Sequence, residues 1–222
     1  MNTEKYDASY AKYCDHTILK PEATHEMVKK FCDEAKEYGF AAVCVNPVYV
    51  SYVSELLKGS SVKTCCVIGF PLGANTTLVK VVEARDAIAN GAEEVDMVMN
   101  VGALKEGNYD IVLKDIRTVV EAAAGKAAVK VILETSLLTD EEIIKACQIA
   151  KEAGVQFVKT STGFGSRGAS VNDVILMKRA VGPDIQIKAS TGIKTREDAD
   201  KMIKASATRL GTSSGIKIVH GE

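Results

Sequence analysis

The feature that most constrains this chain is a rhythm: short β-branched runs recur between longer amphipathic segments from near one end to the other. The runs are CDHTIL, AAVCVN, VKTCCVIGF, EVDMVMN, VKVILET, VQFVKTS, DIQIKAS and TRLGTSS. They begin roughly 20–35 residues apart, the span of a strand, a helix and two loops. The segments between them, such as THEMVKKFCDEAKEYG and TDEEIIKACQIAKEAG, have helical spacing and end in Gly, a helix C-terminal signal. LTDEE and KTRED place Thr ahead of acidic residues, as a helix N-terminus prefers. Regular alternation of strand and helix calls for a parallel sheet with helices outside it. Eight units in 222 residues predict one α/β domain over residues 1–222, a closed (β/α)8 TIM barrel slightly below the usual ~250 residues. The alternative is an open doubly wound sheet, disfavoured because no G-x-G-x-x-G follows the first strand. The residues before Cys14 are expected to add an extra N-terminal helix at the barrel base.

Composition removes several function classes. The net charge is −1, so no broad field attracts nucleic acid or an anionic membrane. There is no Trp, which argues against stacking platforms. No apolar run approaches membrane-spanning length, and the N-terminus has no signal-peptide apolar core. The six cysteines contain no C-x-x-C pair, so they read as free buried thiols in a reducing cytoplasm. The three histidines lack metal-ligand spacing, and no metal is expected.

Two runs carry a residue out of place. VQFVKTSTGFG and DIQIKASTG each end an apolar strand on a lysine, Lys159 and Lys188, where burying an ammonium is costly. Strand side chains alternate with period two. On that phase Asp96, Val98 and Asn100 share one face, as do Lys130, Ile132 and Glu134, and Gln186, Lys188 and Ser190. The opposite faces are apolar and suit packing on helices. The polar phase must point into the barrel, which brings three lysines and Asp96 together at the strand ends, where barrels place their functional groups. Lys130 has a structural rival reading, an ion pair with Glu134 or Asp96.

Crowding and desolvation are expected to lower the pKa of an amine from its ordinary value of about 10.4. A neutral amine can add to a carbonyl and form an imine, which withdraws electrons from a neighbouring C–C bond. Asp96 could move the protons. The loops STGFG, STG and GTSSG follow the last three strands. Their glycines let backbone amides approach an anion, and their hydroxyls add donors. A phosphate at that end of a barrel implies a small phosphorylated substrate.

The chain resembles the deoxyribose-phosphate aldolase family over essentially its whole length. The matching stretches are YCDHTILKP, VCVNP, CVIGFPLG, VDMVMNVG, KVILET, FVKTSTGF, DVILMK, IKASTGI and RLGTSSG. The resemblance implies reversible cleavage of 2-deoxyribose 5-phosphate to glyceraldehyde 3-phosphate and acetaldehyde, in deoxyribose phosphate catabolism. It implies a covalent imine on Lys159 and no metal or other cofactor. It makes Lys188 the neighbour that depresses the pKa of that amine and Asp96 the proton-transfer carboxylate. Lys130 joins the cluster, and Asp15 and Cys44 fall near the site mouth. Gly163, Gly192, Gly211, Ser213 and Ser214 match the phosphate loops. Thr191 stands where the family usually has Gly; it either narrows the phosphate approach or offers its hydroxyl. A homodimer is compatible with so small a barrel. The competing readings are an aldolase for another phosphorylated sugar or a phosphosugar isomerase on the same barrel, and a non-catalytic phosphometabolite-binding barrel.

Overall fold

In the computed structural model, which describes residues 6–222, eight strands pair in chain order and close. They are β1 (Cys14–Ile18), β2 (Ala42–Val45), β3 (Lys63–Ile68), β4 (Glu94–Val98), β5 (Ala128–Ile132), β6 (Phe157–Lys159), β7 (Gln186–Ser190) and β8 (Arg209–Thr212). Every neighbouring pair is parallel, and β8 pairs back to β1. All eight fall inside the runs read from the sequence or one residue beyond them.

Ten α-helices accompany them: α1 (Ala8–Ala11), α2 (His25–Tyr38), α3 (Val50–Leu57), α4 (Thr77–Ala89), α5 (Val101–Lys105), α6 (Tyr109–Ala123), α7 (Asp140–Ala153), α8 (Val171–Val181), α9 (Arg196–Lys204) and α10 (Gly215–His220). Thr139 and Glu142 close a capping box on α7, and Thr195 with Asp198 does the same on α9, each satisfying two amides that the helix leaves unbonded. Gly39 and Gly154 end α2 and α7 in the left-handed region, at φ 69° and 86°. The extra N-terminal helix is a single turn, α1, packed against α10, with the Asp7 amide donating to Val219 O at 2.8 Å. Residues 1–5 lie outside the described residues.

The barrel has two interiors of different character. Between strands and helices, Val43, Val45, Val95, Met97, Val131 and Ile187 are fully buried in a continuous apolar layer. Each contributes on the order of 1.5–3 kcal/mol of burial free energy. Inside the strands, the apolar cluster shrinks to Ala42, Cys44, Cys65 and Val67 on β2 and β3. The rest of the lumen, facing β4 to β8 and β1, is charged.

Candidate active site

The period-two phase of the strands sets the lumen. Glu94 and Asp96 enter from β4, Lys130 from β5, Lys159 from β6, Lys188 from β7, Arg209 from β8 and Asp15 from β1. In the ladder, Lys159 lies beside Lys188 and Lys188 beside Arg209. Like charges on facing positions repel, so this arrangement holds only because carboxylates reach across from β1 and β4.

Asp96 is the hub. Its Oδ2 accepts from Lys159 Nζ and Lys188 Nζ, each at 2.8 Å, and its Oδ1 accepts from Lys130 Nζ at 2.9 Å and from Cys65 Sγ at 3.2 Å. Asp15 Oδ2 lies 2.5 Å from Lys188 Nζ and 3.5 Å from Lys130 Nζ, while Asp15 Oδ1 accepts from Arg209 Nη1 at 2.6 Å. Glu94 pairs with Lys130 at 2.5 Å and takes both terminal nitrogens of Arg209. Phe157 lies inside the same cage, its ring centre 5.7 Å from Lys130 Nζ and 5.2 Å from the Arg209 guanidinium carbon.

Burial opposes charge on every one of these groups, and the ion pairs outweigh it. Burial alone would raise the Asp96 carboxyl, yet Lys130, Lys159 and Lys188 hold it far below the usual carboxylate range. Asp15 is likewise held down against burial by Lys188, Lys130 and Arg209. Burial would lower Lys188, but Asp15 and Asp96 keep it well above the ordinary lysine value. Lys130 is held up in the same way, against burial, chiefly by Asp96. The expectation that crowding among lysines lowers their pKa therefore fails for these two: each has its own carboxylates, and each stays an ammonium.

The cluster holds four cations, Lys130, Lys159, Lys188 and Arg209, against three carboxylates, Asp15, Glu94 and Asp96. One positive charge is in excess among side chains that are almost fully buried. Lys130 touches three carboxylates and Lys188 two, whereas Lys159 shares one oxygen of Asp96. Lys159 is also the only one of the three lysines with any surface, 2% against 0% for Lys130 and Lys188.

A cavity of about 340 Å³ is lined by all six residues expected to bind phosphate: Gly163, Thr191, Gly192, Gly211, Ser213 and Ser214. The cavity meets the lysine cluster at Gly211, where a Cβ would lie 2.3 Å from Ser190 Oγ and 3.1 Å from Lys188 Cε. Among the described residues, the amides of Gly163, Gly192 and Ser213 donate to no acceptor. The only charged lining groups are Lys20 and Lys194, and neither is ion-paired among the described residues. Two cations, no carboxylate and a ring of open donors make an anion site.

Some placements differ from the sequence reading. Asp15 is not at the mouth; it is fully buried in the cluster, because β1 closes the barrel beside β8. Glu134 does not pair with Lys130. Strand β5 ends at Ile132, and Glu134 turns into the left-handed region at φ 55°, so the alternation no longer applies. Its carboxylate accepts from the Thr162 amide at 3.2 Å and from the Thr162 hydroxyl, while Thr162 Oγ1 accepts from the Phe164 amide at 3.0 Å. That chain of bonds fixes the β6 loop over the cavity. Asn100 caps α5 rather than lining the lumen. Cys44 is buried in the lumen beside Cys65. Glu94, Arg209, Lys20 and Lys194 were not anticipated. Glu94 shares the phase of Asp96 and was there to be found; Arg209 shares the phase of Gly211 on β8.

Strand-end lysines held by carboxylates inside a parallel barrel, beneath an anion cavity, define the aldolase class of (β/α)8 proteins. The chain belongs to the DeoC/LacD family of aldolases, whose family model matches residues 10–220. It is 62% identical over 210 residues to the deoxyribose-phosphate aldolase of Clostridium novyi, covering 95% of both chains. It is 59% identical to the deoxyribose-phosphate aldolase of Geobacillus sp., covering 96% of this chain and 95% of that one. A solved deoxyribose phosphate aldolase from Aeropyrum pernix, described as a tetramer, superposes with a TM-score of 0.89 at 36% identity, over 96% of this chain and 90% of that one. The likeness therefore spans the barrel and both halves of the site. Among the described residues, no helix is long and apolar enough to cross a membrane.

Proposed function

We propose that this protein is a class I aldolase that reversibly cleaves 2-deoxy-D-ribose 5-phosphate to D-glyceraldehyde 3-phosphate and acetaldehyde, acting as one barrel domain. The observation that carries the reading is the shared oxygen: Asp96 Oδ2 receives both Lys159 and Lys188 at 2.8 Å, in a cluster that a cavity charged only by Lys20 and Lys194 adjoins at Gly211.

With Lys159 as a neutral amine, the lumen holds three cations against three carboxylates. The neutral nitrogen adds to the C1 aldehyde of the open-chain sugar, and loss of water with uptake of one proton from solvent, returned when the imine is hydrolysed, gives a protonated imine. The C3 hydroxyl then loses its proton to Asp96, directly or through a water. The C2–C3 bond breaks, its electron pair moving onto the imine as an enamine, and C3 departs as the aldehyde of glyceraldehyde 3-phosphate. Protonation at C2 and addition of water release acetaldehyde and restore the amine. The imine is the electron sink, so the route uses no metal. Lys188, held as an ammonium by Asp15 and Asp96, stays charged throughout and keeps its bond to Asp96 Oδ2 beside the reacting nitrogen. The phosphate is held by the amides of Gly163, Gly192 and Ser213, the hydroxyls around them, and Lys20 and Lys194. Binding energy at this remote group orients C1 toward Lys159.

The test is acetaldehyde release from deoxyribose 5-phosphate by purified protein in the presence of a strong chelator. Sustained turnover is expected. Absence of acetaldehyde would reject the substrate, and loss of turnover with chelator would reject the metal-free route.

A further inference from the structure

We propose that Cys44, Cys65 and Asp96 form a binding site for a thiophilic divalent cation such as zinc or cadmium, and that an ion held there stops turnover. The two cysteines face each other in register on β2 and β3. Cys44 Sγ, Cys65 Sγ and a carboxylate oxygen of Asp96 all lie within 4.8 Å of one another. Tetrahedral zinc with Zn–S bonds of about 2.3 Å separates its ligand atoms by roughly 3.8 Å, so the three donors need only small rotations to close on an ion. No step of the reaction uses either thiol, and nothing else in the lumen offers two soft ligands.

Charge permits the ion as well. Each thiol loses its proton to solvent as its metal–sulfur bond forms, so M²⁺ replaces two protons and the net charge of the lumen is unchanged. The oxygen nearest the thiols is Asp96 Oδ1, 3.2 Å from Cys65 Sγ, whereas Lys159 and Lys188 use Oδ2. Lys130 is the group displaced from Oδ1, and it retains Glu94 at 2.5 Å. The route in runs from the cavity. Leu19 lines that cavity, and Leu19 and Phe70, both half-buried, also pack on the Cys44–Cys65 cluster. An ion bound to Oδ1 ties up the carboxylate that the proposed reaction needs for proton transfer. The inhibitory half of this inference therefore rests on the proposed function; the binding half does not.

The test is titration of the reduced, metal-free protein with cadmium, read by the ultraviolet thiolate-to-cadmium charge-transfer band and by the cadmium NMR signal of the unsubstituted protein. One equivalent should bind per chain, release about two protons, and give the shift of a ligand set with two sulfurs. Aldolase activity should fall in step with occupancy and return on adding chelator. Cys147→Ser, on α7 away from the lumen, should leave the band intact, whereas Cys65→Ser and Cys65→Ala should abolish it. Absence of a band, an NMR shift lacking sulfur ligands, or a band that survives in a folded Cys65 variant would overturn the site. Full activity at saturating cadmium would overturn the inhibition and leave the aldolase reading untouched.

Discussion

Replacing Lys188 with leucine removes one positive charge from the lumen and no carboxylate. Four cations against three carboxylates become three against three with Lys159 protonated. Both amines reach Asp96 Oδ2 at 2.8 Å. At an ordinary angle between two donors on one oxygen, the nitrogens are about 5 Å apart, where two unit charges interact by about 3 kcal/mol at an effective dielectric constant of ~20. That energy corresponds to a little over two pH units. Without Lys188 that repulsion is lost from the site, while Lys130 and Arg209 remain, so the pH dependence of kcat/KM is expected to move by up to about two units. At pH 7 the rate falls by up to about 100-fold. The fold should survive, because Asp15 keeps Arg209 at 2.6 Å and Asp96 keeps Lys130 at 2.9 Å. The assay is the pH dependence of initial cleavage rates, with the thermal midpoint as a folding control. A uniformly lower profile at unchanged pH would refute a role for Lys188 through its charge.

Three further outcomes follow from the same geometry. Lys159→Leu should lose at least 10³-fold in turnover through loss of the covalent step, yet be no less stable in urea, because its removal also balances the buried charges; a strongly destabilised variant would contradict the charge count. Thr191 holds φ 73°, a costly conformation for a β-branched residue, so Thr191→Gly should gain about 1 kcal/mol of stability after the entropic penalty of glycine; a lower urea midpoint would show that contacts of Thr191 offset the backbone strain. Stability should also depend on pH at both extremes. Asp15 and Asp96 are depressed by their lysine partners, so their contribution is complete above about pH 4 and lost as pH falls below it. Lys130 and Lys188 are raised by their carboxylates, so theirs is complete below about pH 10 and lost as pH rises through the folded values. Denaturant midpoints should therefore fall away at both extremes, below about pH 4 and above about pH 10, and midpoints that hold level through both limits would contradict it.

Much of this was legible because strand alternation is local. EVDMVMN and DIQIKAS put Asp96 and Lys188 on the polar phase with no knowledge of the fold, and three Ser/Gly loops after the last strands marked the anion cavity. What stayed hidden depended on closure. Asp15 looked peripheral because its partners, Lys188 and Arg209, lie on the opposite end of the chain and meet it only when β8 pairs with β1. What holds Lys188 and Lys130 charged was hidden for the same reason: counting lysines is possible on one strand pair, whereas counting the carboxylates that cross the lumen is not. Glu134 was misplaced because alternation was extended two residues past the end of β5, where the backbone turns.

The central claim is that Lys159 is the nucleophile, and borohydride reduction in the presence of acetaldehyde tests it most directly. With chelator present, an ethyl group is expected on the peptide carrying Lys159 and on no other. An unmodified Lys159 peptide, or the adduct on Lys188 or Lys130, would contradict the account.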